Sequence, residues 1–214
     1  MKYLLIILIT ISSFSCKSQI KNEDDTSKLL NIKELTIEES TIINQFLSNE
    51  LKKNKYKNYK DYNYLLVKEA TSKLSSLSIY RYCYEERNLK IRSSTNKDWI
   101  IDSLEIKNIQ DTLKEKKHLW KSTDITNIKV DTISVNKINE SRKNSKEYEK
   151  YNNNLIIYLS VPLIFKKEYA LIHFICLESW YGYSTIDVFT ALLKKSENEK
   201  WEIDSYYYDP NFSW

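Results

Sequence analysis

Glycine is nearly absent from this sequence, whose 214 residues include one glycine, Gly182, and two prolines. Phosphate- and dinucleotide-binding loops need several glycines so that the backbone can approach the ligand, and the nucleophile elbow of α/β-hydrolases needs two. These classes of site are therefore excluded. Histidine is also scarce, with only His118 and His173, so we expect no site made of several imidazoles and predict no bound metal or cofactor.

Charge of one sign is not in large excess. The 33 basic and 29 acidic residues give a formal net charge of +4, and the basic residues are scattered among acids, so binding to nucleic acid is not expected. With 42% hydrophobic and 29% charged residues, the chain has the balance of a globular protein. It is long enough for one domain with its own core.

The N-terminus has the organisation of an export signal. Lys2 precedes an apolar run over residues 3–11 that is too short to span a membrane, and Ser-Phe-Ser-Cys then ends at Cys16. This ending resembles the lipobox of bacterial lipoproteins, with Ser13 in place of the usual aliphatic residue. The resemblance implies that residues 1–15 are a signal peptide and that Cys16 is acylated and becomes the mature N-terminus.

The residues after the cysteine predict a location and a tether. In lipoproteins of two-membrane bacteria, an aspartate directly after the cysteine favours retention at the inner membrane, and Lys17 stands there in this chain. We therefore expect a lipid-anchored protein of the cell envelope, at the outer membrane. Residues 16–28 form the lipidated cysteine and a polar, flexible tether, and residues 29–214 form a single α+β domain.

Two helices are predicted in the N-terminal half. Thr36 and Glu39 have the spacing of a capping box, and apolar residues then recur on one helical face as far as Leu51. Asp102 and Glu105 have the same spacing before a second helix, which we expect to end near Lys117.

The same half contains strand signals. Residues 62–70 and 79–84 are rich in tyrosine and apolar residues, and Tyr80, Tyr82 and Tyr84 alternate with other residues, so both stretches are predicted strands. Residues 125–138 predict a bulged strand, and residues 139–154 a loop or a frayed helix.

Four apolar or aromatic runs follow, separated by short polar connections. They cover residues 155–161, 169–177, 186–193 and 201–207. Residues 166–168, the region of Gly182 and residues 196–200 supply the turns. We therefore predict a C-terminal four-strand antiparallel meander, within an α+β fold in which the two helices pack on a mostly antiparallel sheet.

Within this region, three short motifs carry a second resemblance. They are Pro-Leu-Ile-Phe at 162–165, Tyr-Ala-Leu-Ile at 169–172 and Lys-Trp-Glu-Ile at 200–203. The C-terminal half thereby resembles small bacterial lipoproteins that share such a run of strands. The resemblance implies the meander and, because that group has no established activity, assigns no catalytic residue.

Both histidines have neighbours that suggest chemistry. Glu115 and His118 have the Glu-x-x-His spacing of di-iron bundles, but that chemistry uses two copies, so an exposed helix end is expected instead. His173 and Cys176 are three residues apart on a predicted strand, where they point to opposite faces and form no local dyad. His173 with a partner from elsewhere in the chain stays an alternative.

Cysteines and aromatic residues supply the remaining candidates. Cys83 and Cys176 either form a disulfide, which an exported protein permits, or fill the core as small apolar residues. Trp180, Tyr181 and Tyr183 surround Gly182 at a predicted turn. Either these residues contact a ligand or partner, or Trp180 and Tyr183 fold back over the sheet.

A basic stretch offers another surface. It contains five lysines, with Tyr56 and Tyr59 between them: Lys52, Lys53, Lys55, Lys57 and Lys60. Such a stretch either contacts anionic headgroups or polysaccharide near the anchor, or is a solvated turn.

These patterns predict a lipid-anchored envelope protein whose domain is a noncatalytic binding or interaction module, with an envelope protein or a glycan as partner. An envelope hydrolase and a small-molecule carrier are the alternatives, each with a site assembled by the fold. The acids Glu178, Asp187 and Asp204 lie at predicted strand ends, and the sequence places no two of them at a catalytic separation.

Overall fold

The computed structural model describes residues 32–86, 99–179 and 183–209. The helices in these ranges are α1 (Ile37–Glu50), α2 (Lys73–Glu85), α3 (Ser103–Thr112), α4 (Val135–Ser141) and α5 (Ser145–Glu149), with short 3-10 helices at Asn54–Tyr59 and Ser122–Asp124. The strands are β1 (Asn63–Val67), β2 (Val130–Ile133), β3 (Asn154–Leu159), β4 (Leu163–Phe165), β5 (Tyr169–Glu178), β6 (Ser184–Lys195) and β7 (Trp201–Tyr208). None of the described helices is long and apolar enough to cross a bilayer.

All seven strands belong to one mixed sheet. Its order is β2-β1-β3-β5-β6-β7, and β4 also pairs with β5. β1 is parallel to both of its neighbours, whereas β3, β5, β6 and β7 form an antiparallel meander. The predicted α+β fold and its C-terminal meander are therefore confirmed.

Two predicted helices form where their capping residues stand. Thr36 Oγ1 accepts a hydrogen bond from Glu39 N at 3.1 Å, and Thr36 N donates to Glu39 Oε2 at 3.0 Å, which closes the capping box of α1. Asp102 and Glu105 close the same box at α3. This helix ends at Thr112, five residues before the predicted end.

The prediction of a strand over residues 79–84 is wrong, because these residues lie in α2. Ser72 Oγ accepts from Leu74 N at 3.0 Å and caps the helix. Leu77, Tyr80 and Cys83 are buried at a spacing of three residues, which places them on one helical face. The tyrosine alternation is therefore not a strand pattern, and Tyr82 is exposed.

The region between the predicted helices and the meander is more helical than expected. The strand predicted at 62–70 forms as β1, but only Val130–Ile133 of the strand predicted at 125–138 forms, as β2. Ser134 Oγ then accepts from Lys137 N and starts α4. Short helices α4 and α5 cover half of residues 139–154, which were predicted to form a loop or a frayed helix.

Apolar side chains pack on both faces of the sheet. On β5, Ile172, Phe174 and Cys176 belong to a core that includes Phe46 of α1. Leu171 alternates with them and packs in a second core with α2 and α3, and Leu177 packs in a third with α4. The sheet is thus covered on both faces.

The two cysteines follow this division. Cys176 lies in the core that contains α1, and Cys83 lies on α2 in the core of the opposite face. Both are free, buried thiols. The disulfide alternative is therefore not what the structure has, because the sheet lies between the two side chains.

Candidate functional site

The connection from α1 to β1 contains the five lysines noted in the sequence. We call residues 52–62 the basic segment. Its centre is the 3-10 helix Asn54–Tyr59, and Tyr56 is buried within the core. The segment is thus packed against the domain.

Glu50, the last residue of α1, is completely buried beneath the basic segment. Lys53 Nζ lies 2.7 Å from its Oε2 atom and Lys55 Nζ lies 2.7 Å from its Oε1 atom. Tyr206 on β7 also donates its hydroxyl hydrogen to Glu50 Oε2 at 2.8 Å. Burial raises the pKa of this carboxyl, but the two ammonium groups outweigh burial and leave its pKa below the usual range.

Asp187 on β6 is the second buried carboxyl in this cluster. Its Oδ2 atom contacts Lys55 Nζ and lies 3.4 Å from the hydroxyl of Tyr56. Burial raises the pKa of Asp187, and the neighbouring Glu50 adds to this shift, which outweighs the effect of Lys55. The Lys55 ammonium group therefore contacts both Glu50 and Asp187, and the pKa values of these two carboxyl groups are shifted in opposite directions.

Two further tyrosines hold the end of the basic segment against β5 by hydrogen bonds. Tyr59 and Tyr62 donate their hydroxyl hydrogens to Oε2 and Oε1 of Glu178, at 3.2 and 3.3 Å. Their rings meet edge to face, with centroids 5.2 Å apart. Glu178 is the last residue of β5, so the basic segment lies at that end of the sheet.

Three lysines of the segment point to solvent. Lys52, Lys57 and Lys60 are exposed, and within the described ranges none of them pairs with a carboxylate. The rings of Tyr59 and Tyr62 are partly exposed. The segment therefore presents three ammonium groups beside two aromatic rings whose hydroxyl groups are fixed.

The residues predicted around Gly182 have a different outcome. Trp180 and Tyr181 lie outside the described residues, as does Cys16. Tyr183 is only 6% exposed, its hydroxyl contacts that of Ser141, and the Arg142 guanidinium lies 5.1 Å from its ring centroid. Tyr183 is thus part of the core and not a surface contact, as the alternative in which it folds back over the sheet predicts.

His173 is buried, and burial lowers its pKa, so its imidazole is neutral near pH 7. Its backbone N–H donates to Ser160 Oγ at 2.9 Å. Thr190 is its partner across the strands, and within the described residues His173 Nδ1 and Thr190 Oγ1 have no hydrogen-bond partner. The structure therefore places His173 in the sheet interior.

The prediction of an exposed helix end at His118 is wrong. The helix ends before it, and His118 is 7% exposed. Glu115 does not share its environment, because the Glu115 carboxylate accepts hydrogen bonds from the Ser72 hydroxyl at 2.6 Å and from Lys73 N. The Glu-x-x-His spacing thus has no structural meaning in this chain.

Sequence reasoning missed Glu50 and set Asp187 and Glu178 aside as acids at strand ends. The signal that pointed to Glu50 was five lysines directly after a helix that ends in an acid, whereas no local pattern pointed to Asp187 or Glu178. In the described part of the chain, no group of three or more His, Cys, Asp or Glu side chains is placed to hold a metal ion.

No protein-family model, curated protein or solved structure matches the chain. The interpretation of the site therefore rests on the residues of this chain alone.

Proposed function

We propose that this chain is a cell-envelope protein anchored by lipid at Cys16 and that its domain is a noncatalytic module that binds an anionic glycan. The lipobox-like ending before Cys16 supports the location. The basic segment supports the binding role, and the observation that carries it is the combination of three exposed lysines with two partly exposed tyrosines whose hydroxyl groups are bound to Glu178.

The way the segment is held favours binding. Lys53 and Lys55 are bound to Glu50, and Tyr59 and Tyr62 are bound to Glu178. A basic turn that is free in solution loses conformational entropy when it binds, whereas a segment that is already fixed loses less. The backbone that carries the exposed lysines and the rings of Tyr59 and Tyr62 are thus held in one arrangement before a ligand arrives.

The exposed groups fit the chemistry of an acidic sugar polymer. Ammonium groups attract carboxylate or phosphate groups on the sugars, and tyrosine rings provide flat apolar area against the C–H faces of the sugar rings. Each lysine near a polyanionic surface contributes about 1 kcal/mol, so three contribute about 3 kcal/mol. This corresponds to about 100-fold in affinity at low salt.

The experiment measures binding of the full lipidated chain, in zwitterionic detergent, to fluorescent alginate and to neutral dextran. We expect alginate binding that weakens with salt, and about 100-fold weaker binding when Lys52, Lys57 and Lys60 are all changed to glutamine. The matched control replaces three exposed lysines from elsewhere, Lys107, Lys114 and Lys129, and keeps wild-type affinity. Equal losses in both triple variants, or equal binding to dextran, contradict the proposal. If the chain binds anionic lipid vesicles and not alginate, its ligand is a membrane surface and the glycan proposal is wrong.

A hydrolase is the second candidate, and the observation that favours it is the pair of carboxyl groups on Lys55. Their opposite pKa shifts are typical of an acid and a base in one site. Both carboxyl groups are buried, so such a site has to open before substrate enters. A hydrolytic activity that Asp187→Asn abolishes without lowering the melting temperature supports this candidate over the binding module.

A further inference from the structure

His118 lies at the far end of α1 from the basic segment, in a cleft of about 440 Å³. The cleft is also lined by Asp124 and by two lysines, Lys33 and Lys121, whose ammonium groups pair with Glu39 and Glu34. Because α1 has 14 residues and rises about 1.5 Å per residue, the cleft and the basic segment are separate sites. The cleft is not part of the function proposed above.

The position of one proton on His118 follows from its partner. His118 Nδ1 lies 2.7 Å from the backbone oxygen of Lys33. A carbonyl oxygen only accepts hydrogen bonds, so Nδ1 carries a hydrogen and donates it. In the neutral imidazole, Nε2 is then a bare nitrogen with a lone pair.

That nitrogen faces a carboxylate. Within the described residues, Nε2 is buried without a hydrogen-bond partner, and it lies 3.5 Å from Asp124 Oδ2. A charge-assisted N–H···O hydrogen bond is shorter, at about 2.7 to 2.9 Å. Two atoms that each bind one metal ion at about 2.0 to 2.2 Å, with a near-tetrahedral angle, lie roughly 3.3 to 3.6 Å apart. The observed separation of 3.5 Å therefore matches the distance between two ligands of one cation.

The other hydrogen bonds made by the His118 and Asp124 side chains are typical of metal ligands. Metal-binding histidines usually donate their other ring N–H to a backbone carbonyl or a carboxylate, as His118 does to Lys33. The Asp124 Oδ2 atom accepts from Lys121 N at 2.8 Å, which fixes the carboxylate and leaves a lone pair free. The ring of Trp120 meets the imidazole edge to face at 4.5 Å and excludes water from that side.

We propose that His118 Nε2 and Asp124 Oδ2 bind one divalent transition-metal ion of the Zn²⁺ or Cu²⁺ type. Imidazole and carboxylate are ligands that suit these ions. Two protein ligands leave the other coordination positions to water, or to an external ligand, on the cleft side. The sequence could not show this pairing, because Asp124 reaches His118 only through the 3-10 helix at Ser122–Asp124.

The test titrates the full chain, purified in detergent without a histidine tag, with ZnCl₂ by calorimetry. We expect one ion per chain, and affinity weakened at least about tenfold by His118→Gln and by Asp124→Asn. The matched control is His173→Gln, which removes the other histidine and keeps wild-type affinity. Circular dichroism melting of each variant shows whether it is folded. Asp124→Asn keeps the size of the side chain and tests the site even where His118→Gln does not fold.

A second readout uses Trp120 as a reporter. CuCl₂ quenches the emission of a tryptophan that lies beside the bound ion, so we expect saturable quenching that Trp120→Phe largely removes while zinc binding persists. No saturable binding of either ion, or zinc binding by folded His118→Gln equal to wild type, overturns the proposal.

Discussion

Glu50 and Asp187 are two buried carboxyl groups beside the same ammonium group, yet their pKa values move in opposite directions. Glu50 has two lysines and the Tyr206 hydroxyl around it, which outweigh burial. Asp187 has one lysine partner, Lys55, besides the Tyr56 hydroxyl, and it lies near the negative charge of Glu50. The folded state therefore stabilises the charge of Glu50 and disfavours the charge of Asp187.

This contrast predicts unequal costs of neutralisation. Glu50→Gln should lower the free energy of unfolding at pH 7 by about 2 kcal/mol, because the lost pair is buried while its lysine partners are partly exposed. Asp187→Asn should change it by less than about 1 kcal/mol, since removal of a disfavoured charge offsets the lost contact with Lys55. Urea unfolding of both variants measures the difference. A larger loss for Asp187→Asn contradicts this account.

At the scale of the elements, the buried carboxyl group of Glu39 stabilises the N-terminal end of α1. Burial raises the pKa of this carboxyl, but hydrogen bonds from Lys33, from Thr36 N and from Lys73 outweigh burial and hold the pKa at about 2. Lys33 Nζ and Lys73 Nζ lie 2.5 and 3.0 Å from Glu39 Oε1. Burial lowers the pKa of Lys73 despite this contact, so burial disfavours the charge of Lys73 more than Glu39 stabilises it.

The pH dependence follows from the direction of that shift. A carboxyl whose pKa is lower in the folded state adds stability above its unfolded value, and this stability is lost as the pH falls towards the folded value. Glu39→Gln should therefore be about 2 to 3 kcal/mol less stable than wild type at pH 7, and the gap should close between pH 4.5 and about 2. Chemical unfolding across this range measures it, with the exposed neighbour Glu38→Gln as the control. A gap that stays constant with pH is inconsistent with this role.

The elements also show which part of the fold was predictable. The capping boxes at Thr36 and Asp102 are local signals, and both helices start where they stand. In α2, the helical spacing of Leu77, Tyr80 and Cys83 overlaps with alternating tyrosines, and only packing against the sheet decides between helix and strand. Local patterns therefore predicted α1, α3 and the meander, and they failed where tertiary contacts decide.

Only the lysines of the candidate site were predictable from the sequence, and its buried carboxyl groups were not. The lysines lie together in the sequence, but Asp187 follows Lys55 by 132 residues, and no local pattern links the two. The turn predicted at Gly182 was a candidate contact because aromatic residues cluster there in the sequence, yet Tyr183 fills the core. Clustering in sequence shows which residues are neighbours, whereas burial decides which of them can bind a ligand.

At the scale of the whole molecule, the chain divides after Leu30, and residues 31–214 cluster as one unit. The proposed anchor at Cys16 lies on the other side of that boundary. Anchoring and folding should therefore be separable properties of this protein.

The corresponding prediction has two parts. Cys16→Ser should abolish incorporation of labelled fatty acid and release the protein from the membrane fraction, because the acylated residue is lost. Removal of residues 1–30 should leave the melting temperature within a few degrees of that of Cys16→Ser, since the boundary follows Leu30. Fatty-acid labelling and thermal melting measure the two parts. Labelling that persists in Cys16→Ser contradicts the anchor, and a chain that no longer melts cooperatively contradicts the boundary.

The reactivity of the two free thiols, Cys83 and Cys176, reports whether this protein is folded or unfolded. Burial raises the pKa of Cys83 to about 11 and raises that of Cys176 as well, so neither forms the reactive thiolate while the chain is folded. Exposure of the core restores ordinary thiol reactivity on both faces of the sheet. An uncharged alkylating reagent added to living cells therefore marks the molecules that open, without an introduced probe.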